Sequence, residues 1–474
     1  MKHLIICAIS MICLWRPVWA QTGRAERVEA FVEKEMKQKG IPGLVFAVIK
    51  NNEVIQMKAY GYASLDHAVP VTTKTVFPLA SIDKQIIATC IMMLHEQSKL
   101  SLEDPVYKYL DSIPASWKNV KIKHLLSHTS GLGDDPLENV NGRGFDRYTS
   151  ENIYKYIRKQ ELINPVSQQF LYSDAGFFIL QRIFEKASGY YYPDFINENI
   201  FVPLGMSKTR ILNPVEVVEG RSVSYYKSKE GRILINNFRQ ISMGPHFGDI
   251  GTTIEDMVKY DVAINNNKLL KRKTYQLMWT PATVKDNRVV SSLVDERTLF
   301  NADASYGYGW ELGRFRGRNV VYHSGFTGTS ITKFPDDKLS VLLLTNLTYR
   351  PVFSPNAFAK QIASFYLGEE TNSSSMINKP CDDSSVTSIL MQLEEGKPDG
   401  SLFETHFFQK LTLALTDYKR KISYYGGVNN IECVYTVREK SGVRHTFMVD
   451  FKNGTLFYNF IFDKKGVINE LSIQ

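Results

Sequence analysis

Ser81-Ile82-Asp83-Lys84-Gln85-Ile86-Ile87-Ala88-Thr89-Cys90-Ile91-Met92-Met93-Leu94 is the stretch on which the reading of this chain turns. From Ile86 onward it is apolar nearly all round, the pattern of a helix sunk into a domain rather than laid on its surface. Positions three apart share a helix face about one turn apart, so Ser81 and Lys84 can touch. Burial disfavours the charged form of a lysine. An uncharged amine beside a hydroxyl can take its proton and leave a nucleophilic oxygen. The first turn of a helix also has N–H groups without intrahelical partners, which lets the Ser81 amide face a developing oxyanion. The spacing alone is weak, because a capping serine and a surface lysine give the same pattern.

Two further triplets lie far along the chain. Tyr172-Ser173-Asp174 follows Phe170-Leu171 and precedes a helix-like run; a tyrosine there can relay a proton between serine, lysine and leaving group. His323-Ser324-Gly325 ends a strand, whose edge can offer a backbone N–H as a second oxyanion donor. Around them, Val28, Phe31, Val32 and Met36 predict a helix over 24–39, stopped by Gly40 and Pro42. Strands are expected at 44–50 and 54–60, joined by Asn51-Asn52, and again at 308–314, 319–323, 330–334 and 340–345, with a helix over 356–366. The stretch from about 80 to 300 reads as mostly helical. An antiparallel sheet assembled from both ends of a domain, flanked by helices and holding a large helical insert, is an α+β plan.

The three triplets in this order resemble the serine β-lactamase and penicillin-binding-protein-like superfamily, in the branch with class C β-lactamases, related esterases and D-amino-acid-specific peptidases. Its signatures SxxK, YxN and KTG or HxG match Ser81 to Lys84, Tyr172 to Asp174 and His323 to Gly325. Leu125-Leu126-Ser127-His128-Thr129-Ser130-Gly131-Leu132, Pro203-Leu204-Gly205-Met206, Gly251-Thr252-Thr253 and Tyr306-Gly307-Tyr308-Gly309-Trp310 are also phrases of that family, and the likeness runs from about 25 to 367. The resemblance implies an acyl-enzyme on Ser81, formed with help from Lys84 and Tyr172. It implies an oxyanion hole of the Ser81 and Phe326 amides, with Asp174, His323, Ser324 and Gly325 toward the substrate and no metal or organic cofactor. Two positions depart from the pattern. Asp174 stands where the family has asparagine, and a carboxylate only accepts hydrogen bonds. His323 stands where β-lactamases have lysine, which removes a fixed positive charge suited to a substrate carboxylate. Both argue against an efficient β-lactamase.

Residues 1–20 read as a secretory signal: polar Lys2-His3, an apolar run over 4–15 too short to span a membrane, and a small residue at Ala20 before cleavage at Gln21. An uncleaved anchor is the other reading. The expected mature protein is exported, periplasmic or secreted, without a membrane span. Of five cysteines, Cys90, Cys381 and Cys433 remain, and Cys381 with Cys433 is the one pairing considered, against three free thiols. The net charge of +8 is dispersed; Lys268 with Lys271-Arg272-Lys273 reads as a solvated helix end, and no nucleic-acid motif accompanies it. His95-Glu96 lacks the second histidine of a zinc helix, and His124 and His128 read as scaffold.

Residues 21–368 are thus expected to form the hydrolase domain and 369–384 a linker. Residues 385–474 are expected to form a small helix-plus-meander domain, analogous in fold to cystatin-like or nuclear-transport-factor-2-like modules. The leading function is hydrolysis of small esters, amides or D-amino-acid peptides. Action on penicillins or cell-wall peptides, and a catalytically silent binding or sensor protein, are the alternatives. The expected partner is a small-molecule or peptide substrate, and the oligomeric state is left open.

Overall fold

Burial of every residue from Gly43 to Ile49 places the strand Gly43–Lys50 inside a sheet covered on both faces. A computed structural model describes residues 16–133, 149–212, 216–228, 230–236, 249–287, 289–290, 304–348, 353–367, 383–423, 426–438, 442–452 and 454–473. In it this strand pairs antiparallel with Glu53–Ser64 on one side and Leu339–Thr345 on the other. Asn51 and Asn52 join the first pair with φ of 52° and 68°, the left-handed pair that matches a two-residue hairpin to strand twist. The main sheet has eight strands in the order Val69–Pro70, Glu53–Ser64, Gly43–Lys50, Leu339–Thr345, Thr329–Phe334, Arg318–Gly325, Glu311–Phe315 and Ser305–Tyr306. The two ends of the domain meet where Leu44 faces Thr345 and Val48 faces Val341, as the α+β plan requires.

Alternation along the strand sorts its side chains into two cores. Phe46 and Val48 join Val28 and Val32 of the helix Arg16–Lys39 and Phe358 and Ile362 of the helix Pro355–Ser364. Val45, Ala47 and Ile49 face the other way, toward the helices Asp83–Glu96, Asp174–Ser188 and Ile254–Asn265. Each large aliphatic side chain buried in this way stabilises the fold by about 1.5–3 kcal/mol.

Several boundaries differ from expectation. The first helix begins at Arg16 rather than 24, and residues 1–15 of the expected signal lie outside the described residues. The strand expected from 308 begins at Glu311, because Gly309 takes a φ of 74° and turns the chain before it. The insert is not purely helical. Phe77–Pro78, Ile250–Thr252 and Arg210–Ile211 form a three-stranded sheet, and Tyr225–Lys227 pairs with Ile233–Ile235. Strands of two or three residues are too short to show a period of two.

Beyond the main sheet, the helices Asp383–Glu395 and Thr405–Ser423 precede the strands Val428–Arg438, Val443–Phe451, Gly454–Phe462 and Ile468–Ile473, paired in chain order. They enclose a core of their own that includes Leu393, Leu411, Val449, Tyr458 and Phe460. The Lys34 ammonium meets the Asp450 carboxylate at 3.4 Å, a contact between this part and the first helix. Residues 369–382 of the expected linker lie outside the described residues. Cys433 is disulfide-bonded; Cys381, its expected partner, lies outside the described residues, and Cys90 is buried and free. Among the described residues no helix is long and apolar enough to cross a membrane.

Candidate active site

Ser81 lies in a single tight turn, Ala80–Ile82, that runs straight into the helix Asp83–Glu96. Ala80 has a φ of 53°, a left-handed conformation costly for any residue with a Cβ. Surrounding bonds hold it. The Leu79 amide donates to the Ile250 carbonyl at 2.8 Å, and Asp83 Oδ2 accepts from the Ile250 amide at 2.9 Å. Thr327 donates to the Pro78 carbonyl and Thr329 to that of Leu79. The strand Arg318–Gly325 ends against this turn: a Cβ on Gly325 would lie 2.0 Å from the Leu79 oxygen. Only glycine permits that approach, which gives the Gly251-Thr252-Thr253 and Gly325 phrases a shared task, clamping the serine turn.

The Lys84 side chain is fully buried. Its Nζ donates to Ser81 Oγ at 3.0 Å and to Asp174 Oδ1 at 2.5 Å, and stands 4.6 Å from the centre of the Tyr172 ring. A buried ammonium persists only with such partners. Asp174 is 34% exposed, so the cluster opens outward through its carboxylate. Asp174 begins the helix Asp174–Ser188, capped by Ser173 Oγ, which accepts from the Gly176 amide; a carboxylate in the first turn is favoured by the helix dipole.

His128 fixes the tyrosine. Its carbonyl accepts from the Leu171 amide and its Nδ1 from the Ser173 amide, and its ring stacks on Tyr172 with centroids 4.3 Å apart. Because Nδ1 accepts, the neutral ring carries its proton on Nε2, which has no hydrogen-bond partner among the described residues. Burial above all, then the neighbouring Lys84 and His323, push the His128 pKa well below its ordinary value, so the ring stays neutral. The scaffold role expected of this residue matches its contacts.

His323 is 1% exposed. Burial, with the Lys84 charge in second place, brings its pKa down to about 3. Nδ1 lies 2.9 Å from the Ser324 carbonyl and Nε2 3.0 Å from Tyr306 Oη. A carbonyl only accepts, so Nδ1 carries the proton and Nε2 accepts from the tyrosine. With both nitrogens occupied inside the protein, the ring does not line the cleft as the sequence led us to expect. Ser324 and Phe326 beside it are half-buried, and the turn after them is closed by the Gly328 amide on the Gly325 carbonyl at 2.9 Å. Sequence reasoning missed Tyr306 as a contact of His323, although the phrase containing it was recognised.

The arrangement brings Ser81, Lys84, Tyr172 and Asp174 together at the end of the strand that holds His323, Ser324 and Gly325. Its charges are the Lys84 ammonium and the Asp174 carboxylate, which balance; both histidines are neutral. A hydroxyl in contact with a buried amine, beside a strand edge, suits attack on a carbonyl.

The family model described as Beta-lactamase matches residues 28–364. The chain is 26% identical over 330 residues to Penicillin-binding protein 4* of Bacillus subtilis (strain 168), covering 64% of this chain and 68% of that protein. It is 24% identical over 383 residues to a putative D-alanyl-D-alanine carboxypeptidase of Salmonella typhi, covering 70% and 84%. Among solved structures, the octameric penicillin-binding protein homologue from Pyrococcus abyssi aligns with a TM-score of 0.63 at 20% identity, over 95% of this chain and 99% of that one. EstCE1, a hydrolase with promiscuous acyltransferase activity, aligns with a TM-score of 0.61 at 22% identity, over 74% and 100%.

Proposed function

This chain belongs to the Beta-lactamase family, and on that premise we propose that it is an exported serine hydrolase acting through an acyl-enzyme on Ser81. The observation that carries the reading is the contact of the buried Lys84 amine with both Ser81 Oγ and Asp174. Once Lys84 has passed a proton to the Asp174 carboxylate it touches, its neutral amine can act as base: Ser81 Oγ attacks the substrate carbonyl as the hydroxyl proton passes to Lys84, with Tyr172 as relay. The carbonyl oxygen takes the negative charge between the amides of Ser81 and Phe326. The leaving alcohol or amine departs with a proton, and water then cleaves the ester on Ser81 and frees the acid. The substrates are small esters, amides or D-amino-acid peptides. Balanced charge in the cluster and the neutral, buried His323 favour these over penicillins, whose carboxylate calls for a fixed cation. The names of the relatives keep a second reading alive, cell-wall peptide or penicillin acylation. We assign the chemistry to residues 21–368 and treat 385–474 as a separate accessory unit.

Hydrolysis of p-nitrophenyl butyrate by the mature protein, beside Ser81→Ala, tests the reading. Turnover in the first and a loss of 10^4-fold or more in the second, on the order seen when a serine nucleophile is removed, is the expected result. Equal turnover in both would end it. Mass spectrometry for a penicillin adduct on Ser81 separates the second reading from the first.

A further inference from the structure

An acyl-enzyme on Ser81 is opened only when some group takes a proton from the attacking water. Lys84 is badly placed for that. Its side chain is 0% exposed, enclosed by Ser81, Asp174 and the rings of Tyr172 and Phe177. His323 has both ring nitrogens engaged inside the protein, and His128 is buried with its Nδ1 occupied by the Ser173 amide. Tyr172 passes protons along through its hydroxyl rather than storing one. Of these groups Asp174 is the one that joins a carboxylate to solvent access, at 34% exposure.

The backbone before Asp174 is fixed by three bonds. Ser173 Oγ accepts from the Gly176 amide, the Ser173 amide donates to His128 Nδ1 at 3.0 Å, and the Leu171 amide donates to the His128 carbonyl at 2.8 Å. Asp174 Oδ1 accepts from Lys84 Nζ, which donates in turn to Ser81 Oγ. The carboxylate thus lies within two hydrogen-bond lengths of the serine oxygen, a span that one water bridges. An amide at this position, as in the family pattern, takes up no proton at neutral pH. We propose that Asp174 is a catalytic residue of the second half-reaction, the base that takes the proton of the water attacking the acyl-Ser81 ester. This deepens the acyl-serine reading above and rests on it.

The water oxygen bonds to the acyl carbon as one of its protons passes to the Asp174 carboxylate. The bond from that carbon to Ser81 Oγ breaks, and Oγ takes a proton from the Lys84 ammonium. The acid leaves, and Asp174 returns its proton to the Lys84 amine, which restores the charged pair. The same carboxylate acts in opposite senses in the two halves of the cycle. In acylation its charge holds Lys84 as an ammonium until the proton crosses to it. An amide in its place removes that counter-charge, and burial then favours the neutral amine, so Ser81 keeps its base. Deacylation loses its own.

The test follows p-nitrophenyl butyrate by rapid mixing with the mature protein, Ser81→Ala and Asp174→Asn. In Asp174→Asn the deacylation rate constant should fall by on the order of 10^2–10^4-fold, the range for loss of a positioned base, and kcat and KM should fall together. The ratio kcat/KM, which reports acylation, should stay within about threefold. A burst of about one equivalent of p-nitrophenol should precede the slow phase, with a butyryl adduct on Ser81 in the mass spectrum. Hydroxylamine, which attacks before it loses a proton, should discharge that adduct as the hydroxamic acid. A merely structural role would lower kcat/KM as far as kcat and leave no adduct. That result, or a parental kcat, overturns the proposal, while Ser81-dependent turnover of the parent keeps the acyl-serine reading intact. If Asp174→Asn does not fold, Asp174→Ser stands in with the same expected outcomes. Turnover that survives Ser81→Ala overturns the reading and the proposal together.

Discussion

Two lysines of this chain are buried, hold an aspartate and reach a serine hydroxyl, yet they occupy different kinds of place. Lys84 meets Asp174 and Ser81 at the start of a helix. Lys333, on the strand Thr329–Phe334, meets Asp261 of the helix Ile254–Asn265 and Ser340 of the next strand, the last at 3.3 Å. The lysine side chains are 0% and 2% exposed, but Asp174 is 34% exposed and Asp261 is 0%. Ser81 is half-buried and Ser340 buried. The same three residue types thus give a cluster open to a reactant in one place and a closed clamp between helix and sheet in the other. On the proposed acyl-serine function, access and the strand end beside Ser81, rather than the composition of the cluster, confer reactivity.

Matched substitutions of the lysines carry the largest expected effects and split this contrast. Lys84→Met should lower ester turnover by on the order of 10^2–10^4-fold, the range for loss of a positioned proton acceptor. Lys333→Met leaves Asp261 as an unpaired buried charge, so it should cost about 3–5 kcal/mol of stability, while turnover per folded molecule stays within about twofold. Urea unfolding and ester kinetics on both variants read the two axes together. A stable, inactive Lys333→Met would break the comparison.

Acid sensitivity sharpens it at intermediate size, because the histidines lie on the Ser81 side. His323 has its pKa brought down to about 3 by burial, against an ordinary 6.5, and His128 is held low by the same cause. Between those values the unfolded chain binds more protons than the folded one. The stability these rings contribute is therefore complete above about pH 6.5 and drains away as pH falls toward 3. Glu311 has the opposite sign: raised to about 7, it favours the fold at low pH and loses that contribution as pH rises through 7. The fall in Tm between pH 7.5 and 5 should shrink in His323→Gln and grow in Glu311→Gln. Identical slopes in both variants would show that the acid response arises elsewhere.

The Ser81 cluster was legible in the sequence and the Lys333 clamp was not, for a physical reason. Ser81 and Lys84 lie one helical turn apart, so their contact is local, and the triplets at Tyr172 and His323 have a fixed order. Lys333, Ser340 and Asp261 come together only once helix and sheet pack, and a lysine within an apolar strand carries no mark of its partner. The sheet plan was legible because the apolar runs at 44–50 and 340–345 are long enough to read as buried strands. The strand Ile250–Thr252, which holds the serine turn, spans three residues and has no period to read. The burial of His323 was equally hidden: its triplet announced a strand end but not which way the ring would turn, and Tyr306 and Ser324 decide that.

The smallest effect tests the contrast most closely. Ser340 and Ser81 each place a hydroxyl beside a buried amine, and Ser340→Ala removes the longer of the two contacts while Lys333 keeps Asp261. The loss should be about 1 kcal/mol, read as a small shift in urea midpoint with unchanged slope, and ester turnover should equal that of the parent. Ser81→Ala should shift the midpoint as little and abolish turnover. If Ser340→Ala also slows the ester reaction, the clamp reaches the site through the strand pair Thr329–Phe334 and Arg318–Gly325, whose register sets Ser324 opposite Ser330. The two lysine clusters would then be parts of one device rather than a site and its scaffold.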